Sequence, residues 1–213
     1  MLSKRKWLRG AKLYLILDTQ VNSYVELLDI LKKSVGAGID IVQLRDKHGA
    51  ARDILEFCAK AKKIINGRIP FVVNDRVDLA MIAGVSGVHL GQKDIPLKVA
   101  RTMMGDQAMI GVSCQTFEDA RRAEREGADY IGFGSVFKTQ TKPERPPMDV
   151  KLLAKVMSRI KIPVFAIGGI GCEHIGSLRR LGVKRVAICR DICQAADAAD
   201  TVREIKKSLL ETS

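Results

Sequence analysis

Residues 71–94 read FVVNDRVDLAMIAGVSGVHLGQKD, a strand, a helix and a second strand in outline. Phe71-Val72-Val73 follows Pro70 and is short, apolar and rich in β-formers, which predicts a buried strand. It stops abruptly on Asn74, Asp75 and Arg76, so an amide, a carboxylate and a guanidinium stand at one rim of a core. Gly87-Val88-His89-Leu90 repeats the pattern and ends on Gly91, Gln92, Lys93 and Asp94. One helix and one return strand separate Asp75 from Asp94, so both carboxylates are expected at the same rim. Two hard oxygen donors with basic residues nearby suit Mg²⁺ holding a phosphorylated ligand. The alternative is that Asp75 only caps a helix starting at Arg76.

The same alternation extends in both directions. Apolar runs at 13–17, 39–44, 108–112, 129–134, 164–167 and 185–188 add six strands to those at 71–73 and 87–90. Helical spacing begins at Tyr24, Leu27, Leu28 and Leu31 and stops at Gly36 and Gly38. Further helices are expected at 50–66, 77–83, 96–103, 116–126, 149–159, 174–181 and 201–210, that at 116–126 opened by a Thr116/Asp119 capping pattern. Strands that are apolar on both faces belong to a parallel sheet covered on both sides. Eight such units in 213 residues predict one (β/α)8 (TIM) barrel spanning 1–213, with residues 1–12 as a basic, solvated lead-in. Chemistry in such barrels sits at the carboxyl ends of the strands. Gln43, Arg45, Lys47, Asn74, Asp75, Asp94, Ser113, Gly168 and Gly169 all fall there. The loop 135–148, with Thr139, Thr141, Lys142 and Pro143, is long enough to be functional.

Composition narrows the classes. Hydrophobic residues make up 46% and charged residues 28% of the chain, as in ordinary globular proteins. No apolar run approaches the roughly 20 residues of a membrane span, and the basic start lacks the apolar core of a signal peptide. A cytoplasmic location is therefore expected. The five cysteines, Cys58, Cys114, Cys172, Cys189 and Cys193, are scattered and form no paired CxxC set, which fits reduced thiols. The net charge of +12 raises nucleic acid as a partner, but aromatic content is only 5% and no basic run interleaves with aromatics. Anionic small molecules are the better match, and a homo-oligomer is compatible with the sequence.

Gly168-Gly169-Ile170 follows the seventh strand, where glycine lets backbone N–H groups approach a phosphate; a plain tight turn is the competing explanation. Lys142, between Thr141 and Pro143, is placed to bind ligand. His89 lies inside a strand and reads as a packed core histidine rather than an acid or base. No Ser-His-Asp arrangement or nucleophile elbow is present.

With the rim assembled, the chain closely resembles the thiamine-phosphate synthases. The resemblance rests on Gln43-Leu44-Arg45-Asp46-Lys47, on Asn74-Asp75-Arg76-Val77-Asp78-Leu79-Ala80, and on Gly87-Val88-His89-Leu90-Gly91-Gln92 with Asp94. Gly111-Val112-Ser113, Thr139-Gln140-Thr141-Lys142 and Ile167-Gly168-Gly169-Ile170 complete it. It implies a transferase that joins a pyrimidine diphosphate to a thiazole phosphate, releasing diphosphate. On the matching positions, Gln43, Arg45, Lys47, Asn74, Ser113 and Lys142 hold the pyrimidine diphosphate, with Lys142, Ser113 and Arg45 closest to the chemistry. The same resemblance implies that Asp75 and Asp94 would bind Mg²⁺. Thr139, Thr141 and the amide of Gly169 hold the thiazole phosphate, with backbone at Cys189 and Arg190.

The chain departs from the family pattern at Arg190, where a small residue, usually serine, is expected, and less weightily at Gln115. A related thiazole tautomerase is the nearest rival; it lacks the Thr-x-Thr-Lys loop and carries histidine in place of Ser135. A noncatalytic binding barrel is the other, opposed by intact Asp75, Asp94 and Lys142.

Overall fold

A computed structural model describes residues 4–139 and 147–211. Its strands are β1 (Leu13–Asp18), β2 (Ile41–Arg45), β3 (Phe71–Asn74), β4 (Gly87–Leu90), β5 (Met109–Cys114), β6 (Tyr130–Phe133), β7 (Val164–Ile167) and β8 (Val186–Ile188). They close in sequence order, every pairing is parallel, and β8 returns to β1 through Leu13 opposite Val186. The helices are α1 (Lys4–Gly10), α2 (Tyr24–Gly36), α3 (Ala51–Ile65), α4 (Val77–Ala83) and α5 (Leu97–Met104). They continue with α6 (Phe117–Arg125), α7 (Val150–Arg159), α8 (Cys172–Arg180), α9 (Arg190–Cys193) and α10 (Ala198–Leu210). This is the expected (β/α)8 barrel.

Side chains alternate across each strand, and the alternation divides the core in two. Leu13, Leu15, Leu17, Val42, Leu44 and Val73 point outward to the helices. Tyr14, Ile16, Ile41, Val72, Met109, Tyr130, Phe165 and Ala187 fill the interior. Three of these aromatics, Tyr14, Tyr130 and Phe165, meet edge-on with ring centroids 5.4–5.7 Å apart, an arrangement favoured by the ring quadrupole. Gly111 makes room for them: a Cβ at that position would overlap the Tyr130 ring.

The start of the chain is not a solvated lead-in throughout. Residues 4–10 form α1, and its Leu8, 3% exposed, joins the interior cluster with Ala11. Lys4 pairs with Asp129 at 2.8 Å. Seven residues are too few for a helix stable alone, so α1 is held by plugging the barrel, a contact that composition does not reveal. Two helix starts lie earlier than expected. Asp197 accepts hydrogen bonds from the Ala199 and Asp200 N–H groups and opens α10 at Ala198, and α8 begins at Cys172 rather than His174. The four-residue α9 is too short to leave a period. Among the described residues no helix is long and apolar enough to cross a membrane.

Candidate active site

The carboxyl ends of the strands open into a cavity of about 310 Å³, with Gln43, Asn74, His89, Ser113, Thr139, Gly169, Cys189 and Arg190 among its walls. Gln43 is 2% exposed and donates from Nε2 to Tyr14 Oη at 2.7 Å. Arg45 is held by Asp18, itself 1% exposed, through a 2.7 Å bond from Nη1 to Oδ2, and by Gln20 Oε1 at 3.0 Å. A guanidinium paired on one side keeps its other N–H groups for a ligand. Asn74 is 7% exposed, and its Nδ2 has no partner among the described residues; Arg190 Nε is likewise buried without one there. Orphaned buried donors facing a cavity suit an anion.

Asp75 and Asp94 meet at the rim beside this cavity. The Asp75 backbone adopts φ 61° and donates to His89 O at 2.8 Å, which pins the end of β3 to β4 in a left-handed turn that Asp tolerates better than most residues. Its side chain does not cap α4, whose N-cap is Arg76 with no side-chain hydrogen bond. Instead it accepts from Lys47 Nζ and is hydrogen-bonded to Asp94. Burial raises the Asp75 carboxyl above the usual carboxylate range and the bond to Asp94 raises it further, against the pull of the Lys47 ammonium. Asp94 Oδ2 also accepts from Gly91 N at 2.7 Å. Two carboxylates forced together and balanced by an ammonium form a donor set that fits Mg²⁺, which typically takes one or two protein carboxylates and completes its shell with water and substrate phosphate. No group of three or more His, Cys, Asp or Glu placed to hold a metal is found among the described residues.

Across the cavity Gly168 and Gly169 follow β7 with φ of 103° and 63°, conformations that side-chain-bearing residues rarely adopt. A Cβ on Gly169 would overlap the carbonyl of Lys138 and one on Gly168 the Ser135 hydroxyl. The turn therefore lets backbone come close to whatever sits there. The Cys189 thiol is raised well above its ordinary range by its bond to Cys193 and by burial, so it is packed rather than nucleophilic. Thr141 and Lys142 lie outside the described residues.

Sequence reasoning assigned no role to three neighbours. Asp18 was visible only as a strand end, yet it orients Arg45. Tyr14 and Tyr130 lie in apolar runs, yet their hydroxyls are paired at 2.9 Å. His89 is packed as expected, at 5% exposure, but it also faces the cavity and bonds Ser113 Oγ at 2.9 Å.

The fold and site define a (β/α)8 barrel whose carboxyl face carries a carboxylate pair and, beside it, a cavity walled by cations and a glycine turn. The family model described as thiamine monophosphate synthase matches residues 13–192. A thiamine-phosphate synthase of Fusobacterium nucleatum is 35% identical over 202 residues, covering 94% of this chain and 98% of that protein. One of Clostridium acetobutylicum is 36% identical over 193 residues, with coverage of 90% and 92%. A solved thiamine phosphate pyrophosphorylase from Pyrococcus furiosus superposes with a TM-score of 0.86 at 30% identity, covering 96% of each chain. The chain belongs to the thiamine monophosphate synthase family, a family of transferase enzymes.

Proposed function

We propose that this chain is a thiamine-phosphate synthase that couples 4-amino-2-methyl-5-(diphosphomethyl)pyrimidine with thiazole phosphate. The observation that carries the proposal is the meeting of Asp75, Asp94 and Lys47 at the carboxyl ends of the strands, Asp75 directly following Asn74 of the cavity wall. In the reaction the bond from the pyrimidine methylene to the diphosphate oxygen breaks, and a bond from that carbon to the thiazole nitrogen forms. The electron pair leaves with diphosphate, and the aminopyrimidine supports positive charge on the methylene in a dissociative step.

On this reading Arg45, fixed by Asp18, and Lys47 bind the diphosphate oxygens, Asn74 supplies its amide, and Lys142 adds a further cation. Preorganised positive charge where negative charge develops lowers the barrier. Asp75 and Asp94 would hold Mg²⁺, which when bound neutralises charge on the leaving group. Gln43 and Ser113 orient the pyrimidine. Thr139, Thr141, the Gly169 amide and the backbone at Cys189 and Arg190 receive the thiazole phosphate. The Arg190 side chain, with a buried Nε lacking a partner among the described residues, adds charge to that end. Holding both substrates in one closed site supplies the orientation that a bimolecular reaction in water lacks, and no protein nucleophile is required. We also place the enzyme in the cytoplasm, where its free thiols stay reduced.

The test is formation of thiamine phosphate from the two purified substrates with Mg²⁺, with and without EDTA. Product that appears only with free Mg²⁺ supports the proposal. No product under any condition removes it, and equal product in EDTA removes the metal.

A further inference from the structure

A run of buried polar side chains crosses the interior below the cavity. Gln43 Nε2 donates to Tyr14 Oη at 2.7 Å, Tyr14 Oη lies 2.9 Å from Tyr130 Oη, Tyr130 Oη lies 3.2 Å from His89 Nδ1, and His89 Nε2 lies 2.9 Å from Ser113 Oγ. Five strands contribute one residue each. The four inner members are at most 5% exposed, so the hydrogens of the two tyrosine hydroxyls need acceptors within the protein.

The direction of the run follows from counting hydrogens. Each tyrosine hydroxyl has a single one to give. Gln43 donates into Tyr14, so Tyr14 passes its hydrogen to Tyr130, and Tyr130 passes its own to His89 Nδ1. Were Tyr130 to donate to Tyr14 instead, the Tyr14 hydrogen would meet no acceptor among its hydroxyl's partners in the described residues, which are Gln43 Nε2 and Tyr130. His89 therefore carries its proton on Nε2 and donates it to Ser113 Oγ. The Ser113 hydroxyl, having accepted, has its own hydrogen free to point into the cavity.

We propose that His89 is a positioning residue, locked as the Nε2–H tautomer by the Tyr14–Tyr130 pair, that makes Ser113 a hydrogen-bond donor to the bound substrate. The proposal rests on the synthase reading for the identity of that substrate, though not for the tautomer. It explains why a histidine sits on a strand facing the cavity without being an acid or base. It also links two cavity side chains, Gln43 and Ser113, through the interior hydroxyls of Tyr14 and Tyr130 and the His89 ring.

Two measurements test it. Histidine ¹⁵N NMR on the ligand-free protein, with the His89 signals assigned by their loss in His89→Gln, should report the Nε2–H tautomer, and Tyr130→Phe should turn it into a mixture of tautomers. An Nδ1–H tautomer in the wild type, or no change in Tyr130→Phe, overturns the proposal. In steady-state kinetics His89→Ala should raise the KM for the pyrimidine diphosphate about tenfold, the loss of one buried hydrogen bond. The same change made in Ser113→Ala should raise it less than about twofold. His89→Gln, which keeps an N–H near the Nε2 position, should restore most of the loss. Equal effects of His89→Ala in both backgrounds would mean that it acts through general packing, and the proposal fails. Should the wild type form no thiamine phosphate, the synthase reading falls, while the substrate-free tautomer result still decides the relay.

Discussion

Replacing Asp94 by Asn should make the protein more stable and less active at once. In the wild type Asp75 is raised above the usual carboxylate range by burial and then by Asp94, with Lys47 opposing. An acid raised in the folded state is favoured there when protonated, so its contribution turns unfavourable as pH climbs through that raised value. The penalty is full at neutral pH. Two unit charges 4 Å apart in an effective dielectric near 20 repel by about 4 kcal/mol. The Lys47 ammonium against Asp75, and a side chain still 15% exposed to solvent, reduce this to about 1 kcal/mol. Asn keeps an oxygen for Gly91 N and gains an N–H for Asp75. The expected result, by calorimetry without Mg²⁺, is a Tm about 2–4 °C higher at pH 7. That gain should shrink below about pH 4, where carboxylates are protonated in either state. Mg²⁺-dependent turnover should fall at least about a hundredfold. A variant that loses both stability and activity would show that Asp94 serves the fold, and a variant with full turnover would remove it from the metal site.

Other residues give independent checks. Arg190→Ala should raise the KM for thiazole phosphate about tenfold, the worth of one charge-assisted contact, and leave that for the pyrimidine diphosphate within about twofold; equal KM values would mean that Arg190 points away from the phosphate. Leu8→Ala, at 3% exposure, should cost about 2–3 kcal/mol in urea unfolding, with kcat unchanged because α1 lies at the opposite mouth of the barrel. Burial pushes the Asp46 carboxyl up, but hydrogen bonds from the Tyr24 hydroxyl and from His48 and Gly49 N–H outweigh it and hold the carboxyl below its ordinary range. Tyr24→Phe should therefore cost about 0.5 kcal/mol at pH 7, the low end for a partly exposed bond. The difference from wild type should close as pH falls through the lowered Asp46 value, and a pH-independent difference would contradict the assignment.

The barrel was legible because parallel strands buried on both faces leave continuous apolar runs, and Phe71–Asn74 and Gly87–Leu90 carry that signature plainly. The convergence of Asp75 with Asp94 followed from counting one helix and one strand between them. The Asp75 turn did not follow from the sequence, since a left-handed aspartate is set by its bond to His89 O, which a neighbouring strand supplies. Nor did the partners of Arg45 or the hydroxyl pair of Tyr14 and Tyr130, which are 116 positions apart. Periodicity says which side of a strand a residue faces, but a partner across the barrel depends on the register of strands between. The plug formed by α1 escaped for a related reason: Leu8, with Trp7, is all that is apolar in the basic run 4–9, and only the open barrel mouth gives it a place to go.

The most direct measurement is a crystal of the protein soaked with Mn²⁺ and the pyrimidine diphosphate, with the metal located by its anomalous scattering. One peak is expected within bonding distance of Asp75 or Asp94 and of diphosphate oxygens, with Lys47 displaced from its ion pair onto the diphosphate. A diphosphate bound in the cavity with no metal near either carboxylate would contradict this assignment.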